Sequence, residues 1–265
     1  MQDVFKEKVC IITGGTSGIG FALAEQLLQR GAVVYAVGIP AEQVEQAQEK
    51  LKAYEQAHCR LVDVTKYEEV QRLVEEVVNR QGRLDYMFNN AGLGGTLPFE
   101  KVTLEYWKKV VDVNLWGVIY GVHAAFPVML KQGFGHIVNT SSMAGLVAPP
   151  YQAVYCATKF AVTGMTEALR YEHAHRNIAF STVCPANVIT PIFGGLKPPP
   201  DAVPVGEAAE IILDGVAKKE GLIILPEKDK QQYYAHRANQ EEMDIFFKKM
   251  ADDRRKAYET GGNYY

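Results

Sequence analysis

Tyr155 and Lys159 are a candidate proton-transfer pair, because a phenol and an ammonium group four positions apart lie on one face of a helix. A phenol has an ordinary pKa of about 10 and is a poor base at neutral pH. A cation within a few ångströms favours the phenolate, which could exchange a proton with an alcohol or carbonyl oxygen. The same spacing also describes a core tyrosine beside a surface lysine, so the interpretation depends on the surrounding motifs.

A glycine-rich segment, residues 13–20 (TGGTSGIG), lies between a short apolar run and an amphipathic run. A turn from strand to helix exposes unpaired backbone N–H groups at the positive end of the helix dipole. Glycines let a pyrophosphate approach that backbone, and the last glycine lets the helix pack closely on the strand. Glycine also serves in turns for conformational reasons alone. In this context we interpret the segment as a dinucleotide-binding loop.

The elements that must position these residues follow from an alternation of short apolar runs with longer amphipathic runs. The predicted strands lie near residues 9–12, 32–37, 60–62, 84–88, 136–140, 178–184 and 222–225, and the predicted helices near 21–28, 42–54, 68–79, 104–130, 151–175 and 208–216. This order predicts an α/β fold: a doubly wound parallel sheet of about seven strands, with helices on both faces. Ligands bind such folds at the carboxyl ends of the strands.

Composition and charge argue against several classes of partner. The 265 residues carry 28 basic and 31 acidic side chains, a formal net charge of -3, without a basic cluster. We therefore expect no nucleic-acid or anionic-membrane partner. The stretch 113–130 has 18 residues without a charge, near the length of a membrane span. It contains Asn114, Gly117 and Pro127, so a buried helix explains it better and no membrane segment is predicted.

Cysteine and histidine usage indicates neither disulfides nor a metal site. The four cysteines are far apart, at positions 10, 59, 156 and 184. Neither they nor the six histidines have a spacing typical of metal ligands. The first eight residues carry charges where a secretion signal would need an apolar stretch. The reducing cytoplasm is the simplest location for such a chain.

The composition of the chain changes at Pro226. Residues 1–226 are predicted to form a single domain, and residues 227–265 a charged, helical C-terminal extension. The extension carries apolar residues at helical spacing: Met243, Phe246, Phe247 and Met250. We favour an amphipathic helix that packs on its own domain or on a second subunit. A lid over the substrate is the alternative.

Taken together, the motifs resemble those of the short-chain dehydrogenase/reductase family over about residues 6–190. The matching motifs, in order, are Thr13 to Gly20, Asp63-Val64, Asn89-Asn90-Ala91-Gly92, Asn114, Ser142, Tyr155 and Lys159. The resemblance implies an oxidoreductase on a Rossmann fold, with NAD or NADP as the cofactor.

The resemblance also implies a role for each matching residue. Tyr155 would be the catalytic acid/base, Ser142 would hold the reacting oxygen, and Lys159 would bind the nicotinamide ribose and lower the tyrosine pKa. Asn114 would kink its helix and anchor a water in the proton relay. The implied cofactor-binding residues are Gly14, Thr16, Ser17, Gly18, Ile19, Gly20, Gly38, Asp63, Val64, Asn90, Tyr155, Lys159, Val188 and Thr190. Among them Asp63 would contact the adenine, Asn90 the adenosine ribose and Thr190 the nicotinamide carboxamide.

The sequence departs from the family pattern in ways that bear on the cofactor and on the loop beyond it. The family's usual Pro-Gly after the sixth strand is Pro185-Ala186 here. At the end of the second predicted strand, residues 37–40 (VGIP) offer no carboxylate for the adenosine ribose. No Lys or Arg lies between Gly31 and Glu49 to neutralise the 2′-phosphate of NADP. We therefore favour NAD and keep NADP as the alternative.

By analogy with the fold, the residues after Thr190 form the wall for a small-molecule substrate. The segment 193–200 (FGGLKPPP) is apolar and stiff, and residues 92–97, 144–147 and Tyr151 would line the rest. An apolar secondary alcohol or ketone, steroid-like or another hydrophobic carbonyl compound, fits such a wall better than a sugar or an acid.

Two other functions and the assembly state stay open. A nicotinamide-binding regulator without turnover is the main alternative, although the complete set of Asn114, Ser142, Tyr155 and Lys159 argues against it. A serine hydrolase is disfavoured because the sequence has no G-x-S-x-G motif. The helices around 114–130 and 152–171 are natural contact surfaces for a homodimer or homotetramer.

Overall fold

Seven parallel strands form one sheet in the part of the chain that the computed structural model describes, residues 3–193, 197–237 and 239–261. The strands are β1 (Val9–Thr13), β2 (Val33–Gly38), β3 (Ala57–Leu61), β4 (Tyr86–Asn89), β5 (Gly135–Thr140), β6 (Ile178–Pro185) and β7 (Leu222–Leu225). Their order across the sheet is β3-β2-β1-β4-β5-β6-β7, so the chain winds outward from β1 in both directions. This confirms the predicted doubly wound α/β fold, whose ligand crevice lies where the winding reverses.

Helices follow or connect the strands, and the last two come after β7. The helices are α1 (Gly18–Gln29), α2 (Ala41–Leu51), α3 (Tyr67–Gln81), α4 (Leu104–Val111), α5 (Gly117–Gln132), α6 (Ala153–Glu172), α7 (Val205–Ala217), α8 (Glu227–Arg237) and α9 (Gln240–Glu259). Some predicted boundaries were wrong by a few residues. The second helix ends at Leu51 and not at residue 54, and β3 begins at Ala57, before the predicted strand. The predicted helix 151–175 is α6, which is shorter at both ends. It begins only at Ala153 because Tyr151 has a left-handed φ of 68°, which a helix does not accommodate.

The core lies on both faces of the sheet because successive side chains of each strand point in opposite directions. In β1, all five residues are buried. Cys10 and Ile12 pack on the face covered by α1, α2 and α7, whereas Val9 and Ile11 pack on the face covered by α3 and α5. A strand buried on both sides has no polar alternation, which is why the sequence shows it as a continuous apolar run.

The predicted long helix 104–130 is continuous but changes its winding at Asn114. A π-helical turn, Asp112–Trp116, joins α4 to α5. By length and composition Leu104–Gln132 could cross a membrane, but 44% of its most apolar window is buried inside the protein. The buried residues of α5, such as Val118, Ala125 and Met129, pack in the core beside α3. This packing supports the interpretation as a core helix.

The C-terminal extension packs back onto its own chain. Tyr233 of α8 is buried against Cys184 and Ile224 of the sheet. The Arg254 guanidinium of α9 donates a hydrogen bond of 2.6 Å to the Pro150 carbonyl oxygen. The extension therefore lies on the segment between Ser142 and Tyr155.

Candidate active site

A cavity of about 850 Å³ lies at the carboxyl ends of the central strands. That is near the upper end of the range for small-molecule sites, about 300–1,000 Å³. Its wall contains most of the residues that the sequence predicts for the site: Gly14, Thr16, Ser17, Gly18, Ile19, Gly38, Asp63, Val64, Asn90, Ser142, Tyr155, Lys159, Val188 and Thr190. The predicted residues Gly20 and Asn114 do not line the cavity and lie behind this wall.

The glycine-rich loop follows β1 and ends at the first turn of α1. Ser17, the residue before α1, makes no capping hydrogen bond with its side chain, and the first helical turn has no acidic residue. The backbone N–H groups of this turn are therefore available to an anion. Gly14 has a left-handed φ of 62°, and a Cβ there would come within 2.8 Å of the Ala91 Cα. Only glycine fits this close approach.

Gly20 acts in packing, not at the cavity surface. A Cβ on Gly20 would lie 2.1 Å from the Gly14 carbonyl oxygen and 2.6 Å from Asn90 Nδ2. Gly20 thus lets α1 pack against the loop that it follows. The prediction that this residue contacts the cofactor is not supported by its position.

The β2 end of the cavity is uncharged. Gly38, Ile39 and Gln43 line it, and a Cβ on Gly38 would lie 2.6 Å from Thr16 Oγ1. The nearest predicted acidic residue, Asp63, follows β3. Its Oδ1 accepts hydrogen bonds from the Thr65 backbone N–H and hydroxyl, at 3.0 and 2.8 Å. One Asp63 oxygen therefore stabilises its own turn while the residue also lines the cavity.

Asn90 connects three strand ends. Its Nδ2 donates to the carbonyl oxygens of Thr13 and Gly14, at 3.2 and 3.4 Å, and its Oδ1 accepts from Thr140 Oγ1 at 3.4 Å. Asn90 thereby fixes the glycine-rich loop against β4 and β5. Since it also lines the cavity, this role is compatible with the predicted contact to a ribose.

Tyr155 and Lys159 lie one turn apart on α6, as the spacing predicts. Lys159 Nζ is 5.6 Å from the centre of the Tyr155 ring and donates a 2.8 Å hydrogen bond to the Thr140 carbonyl oxygen. Lys159 is 3% exposed, and burial lowers its pKa to about 8. The ammonium group is therefore fixed beside the phenol ring, at the carboxyl end of β5.

The two neighbouring serines after β5 have different roles. Ser141 Oγ donates to the Lys159 carbonyl oxygen at 2.8 Å, which ties the β5 end to the backbone of α6. Ser142 stands in extended conformation before a short 3₁₀ turn, and its Oγ accepts from the Ala144 N–H at 3.1 Å. Ser142 Oγ also donates a long hydrogen bond of 3.5 Å to the Pro185 carbonyl oxygen. Because the hydroxyl hydrogen can rotate from there toward a ligand oxygen in the cavity, its position is compatible with the predicted role of holding the reacting oxygen.

Asn114 is fully buried in the π-helical turn and bonds to the backbone of Leu93. Its Oδ1 accepts from the Leu93 N–H at 2.7 Å, and its Nδ2 donates to the Leu93 carbonyl oxygen at 2.8 Å. Leu93 lines the cavity, so Asn114 positions this part of the wall. The predicted change in helix geometry at Asn114 coincides with the π turn. A water anchored by its side chain stays a prediction.

The substrate side of the wall is partly different from the expectation. Ala144, Val147 and Phe193 line the cavity as predicted, whereas Leu97 and Tyr151 lie outside it, joined by a backbone hydrogen bond of 2.7 Å. The predicted residues Gly194, Gly195 and Leu196, and the side chain of Met243, lie outside the described residues.

The sequence favoured packing for the C-terminal extension and left a lid over the substrate as the alternative, and several residues of the extension line the cavity. They are Asp229, Gln232 and Tyr233 of α8, with Phe246, Phe247, Met250 and Arg254 of α9. The helical spacing of Phe246, Phe247 and Met250 was the only signal, and it favoured simple packing. Burial raises the pKa of Asp229, whose Oδ2 has no hydrogen-bond partner in the described part of the chain.

Comparison with known proteins identifies the family. A family model described as short chain dehydrogenase matches residues 8–200. The chain belongs to the short-chain dehydrogenase family. It is accordingly an oxidoreductase that depends on NAD or NADP.

Relatives of this short-chain dehydrogenase include proteins of assigned and unassigned activity. An uncharacterised oxidoreductase of Staphylococcus saprophyticus is 41% identical over 187 residues, which are 70% of this chain and 76% of that protein. A cyclohexanol dehydrogenase of an Acinetobacter strain is 37% identical over 194 residues, 72% of this chain and 77% of that one. Among solved structures, a short-chain dehydrogenase of Burkholderia phymatum in complex with NAD has a TM-score of 0.82 and 26% identity. The structural match covers 90% of this chain and 96% of the Burkholderia phymatum chain.

The observed wall fits a nicotinamide dinucleotide. The start of α1 offers uncapped N–H groups for a pyrophosphate, and the backbone around Gly14 leaves no room for a side chain. A Cβ on Gly92 would lie 3.4 Å from Asn114 Oδ1 and 3.6 Å from Lys159 Nζ, so the absent side chain keeps the space beside the lysine open. Glycine-rich loop, lysine and tyrosine thus share one cavity in this dehydrogenase.

Proposed function

We propose that this dehydrogenase interconverts an apolar secondary alcohol and the corresponding ketone, with NAD as the preferred cofactor and NADP as the alternative. The observation that carries the proposal is that Ser142, Tyr155 and Lys159 line the same cavity as the glycine-rich loop. The nicotinamide supplies the hydride acceptor or donor, and the protein supplies the proton at Tyr155 Oη.

Lys159 is suited to favour the phenolate of Tyr155. Its Nζ is fixed to the Thr140 carbonyl oxygen, one helical turn from the phenol. A positive charge at this distance favours the phenolate over the phenol, which makes Tyr155 a better base toward an alcohol. In the reverse direction the same phenol returns the proton to the ketone oxygen. The Ser142 hydroxyl donates a hydrogen bond to that oxygen and orients the carbon toward the cofactor side.

The substrate side of the wall supports an apolar compound. Its residues near Ser142 are Met143, Ala144, Val147 and Pro149, and those after Thr190 are Pro191, Ile192 and Phe193. These apolar side chains offer no hydrogen-bond partner to the hydroxyl groups of a sugar, which would be left unpaired against them. The polar residues Asp229, Gln232 and Arg254 line the cavity from the C-terminal extension. The relative that is named a cyclohexanol dehydrogenase agrees with this substrate class.

Turnover should be measured by nicotinamide absorbance with a panel of apolar ketones and alcohols, cyclohexanone and cyclohexanol first. We expect reduction of the ketone with NADH and oxidation of the alcohol with NAD. Tight cofactor binding without turnover on any member of the panel would instead favour the regulatory protein.

The NAD preference rests on the uncharged end of β2. Gly38, Ile39 and Gln43 offer neither a carboxylate to a ribose nor a cation to a 2′-phosphate. An unpaired phosphate is the costlier arrangement, since burying a charge without a partner is unfavourable. The relative from Burkholderia phymatum was solved with NAD. A higher kcat/KM with NADPH than with NADH would overturn this preference.

We also propose a cytoplasmic homodimer or homotetramer that assembles through the surface around α5 and α6. Trp116 and Phe160 are each 44% exposed there, and large exposed apolar side chains are typical of contact surfaces. Analytical ultracentrifugation tests the assembly state. A monomer at micromolar concentration would contradict it.

A further inference from the structure

The C-terminal extension contributes part of the wall of the cavity that holds the candidate active site. We infer that α8 and α9 determine which substrates this dehydrogenase accepts, by closing the substrate end of the cavity with an apolar surface that we call the outer wall. The outer wall consists of Tyr233, Phe246, Phe247 and Met250. This inference rests on the proposed function and specifies its substrate class.

One side of the outer wall is attached next to the catalytic residues. Tyr233 packs in a cluster that includes Met143 and Val147, just after Ser142 in the chain. The Arg254 guanidinium donates to the Pro150 carbonyl oxygen at 2.6 Å, just before Tyr155. Both contacts fall on the segment between the two catalytic side chains, so the outer wall faces the substrate and not the adenosine end.

The other side of the outer wall is attached to the loop that follows β6. Lys228 Nζ, at the start of α8, lies 3.0 Å from Asp201 Oδ2. Asp201 belongs to the segment after Thr190 and lines the cavity. The extension therefore contacts both segments that border the substrate end, the one after Ser142 and the one after Thr190.

The outer wall presents a phenol, two phenyl rings and a thioether, beside the polar residues Asp229, Gln232 and Arg254 of the same two helices. Phe246 is 42% exposed, and Phe247 and Met250 are half-buried, so apolar surface faces the cavity. An apolar ligand that covers this surface gains free energy in proportion to the area removed from water. A compound as small as cyclohexanone has little apolar area to place against this surface while it reacts at Tyr155. The preferred substrate is a larger apolar ketone or alcohol, such as a polycyclic one, whose far end contacts α9.

The test compares two substrates in three variants. Phe247→Ala and Met250→Ala remove the apolar surface, and Ile245→Ala is the matched control, because Ile245 lies on the same helix, is 63% exposed and is not on the cavity wall. The measured quantity is the ratio of kcat/KM for the steroid ketone androstenedione to that for cyclohexanone. Loss of a well-packed apolar contact lowers such a ratio about tenfold or more. We expect that decrease in the first two variants and a ratio within about twofold of the parent for the control.

Equilibrium binding of androstenedione in the presence of NADH, measured by calorimetry, gives a readout independent of turnover. Weaker binding in Phe247→Ala and Met250→Ala, with unchanged binding in Ile245→Ala and native circular dichroism in all three, supports the inference even if the proposed reaction is wrong. Equal binding in parent and variants, or an equal loss in the control, overturns it. Ketone binding without turnover of either ketone contradicts the proposed function alone.

Discussion

The catalytic wall and the outer wall enclose the same cavity but are built in different ways. The catalytic wall, Ser142, Tyr155 and Lys159, lies within the residues matched by the family model, and the outer wall lies beyond them. Buried hydrogen bonds fix the catalytic wall, such as the one from Lys159 Nζ to the Thr140 carbonyl oxygen. The contacts that attach the outer wall include a buried tyrosine, a guanidinium–carbonyl bond and an exposed ion pair. The reaction is thus assigned to the frame that the family shares, and the choice of substrate to an extension beyond it.

The largest expected effect tests the catalytic wall. Tyr155→Phe removes the proton donor while keeping the ring, and general acid–base catalysis contributes a factor of about 10²–10⁴. We expect kcat to fall by that factor for cyclohexanone and androstenedione alike, since every substrate needs the proton. NADH titration should give an unchanged Kd. A variant that loses activity toward only one of the two ketones would break the division of roles between the walls.

A buried histidine in the sheet beneath the catalytic wall should make the stability of the protein depend on pH. His136 of β5 is 4% exposed, its ring lies 2.8 Å from Ser181 Oγ, and burial lowers its pKa to about 3 from the ordinary 6.5. Between these two values the unfolded chain binds a proton that the folded protein excludes, so the free energy of unfolding falls as the pH falls from 6.5 toward 3. Denaturant titrations at several pH values should show a loss of several kcal/mol over this range.

The matched variant for this prediction is His136→Gln, which keeps a polar side chain opposite Ser181 but does not titrate. We expect its free energy of unfolding to depend less on pH over the same range, whatever its absolute stability. A slope as steep as in the parent would assign the acid sensitivity to other groups. Since His136 touches neither wall, the ratio of the two ketone activities at neutral pH should not change.

An intermediate effect concerns the attachment of the outer wall. Tyr233 is 8% exposed and packs on Cys184 and Ile224. Truncating a buried aromatic side chain to alanine costs about 3–5 kcal/mol. We expect Tyr233→Ala to detach α8 and α9 locally, so that hydrogen exchange accelerates in residues 227–259 and not in the sheet. Tyr234→Ala is the control, because Tyr234 is 51% exposed. Faster exchange throughout the chain would show that the extension is integral to the main fold.

The catalytic wall could be predicted from the sequence because its chemistry depends on short spacings. Tyr155 and Lys159 share a helix face whatever the rest of the fold does, and the glycine-rich loop needs only the strand before it and the helix after it. The strands were recognisable because they are buried on both faces and therefore appear as continuous apolar runs. Boundaries failed where one residue decided them, as at Tyr151 with its left-handed backbone.

The outer wall could not be predicted because it depends on contacts between distant parts of the chain. Arg254 and Pro150 are 104 residues apart, and no local pattern indicates that they meet. The apolar spacing in α9 shows that one face of this helix is covered, but not whether a domain, a subunit or a substrate covers it. Asn114 is a similar case: its bonds to the Leu93 backbone join positions 21 residues apart and have no local pattern. The role that the resemblance implies, anchoring a water in the proton relay, stays a prediction.

The smallest effect is expected from the ion pair that joins α8 to the loop after β6. A second lysine variant distinguishes this contact from the stability of α8 itself. Lys228 and Asp201 form an exposed pair at 3.0 Å, with side chains 53% and 50% exposed, and exposed pairs contribute about 0.2–1 kcal/mol. Lys228→Ala should therefore raise the KM for androstenedione by no more than about fivefold and leave that for cyclohexanone unchanged, and high salt should reduce the difference. Lys230→Ala removes a lysine from the same helix that pairs at 3.7 Å with Glu227, inside α8. If both variants raise the KM for androstenedione equally, the Lys228–Asp201 pair acts on the stability of α8 and not on the closure of the cavity. If only Lys228→Ala raises this KM, the contact between α8 and the loop after β6 contributes to the selection of the larger ketone.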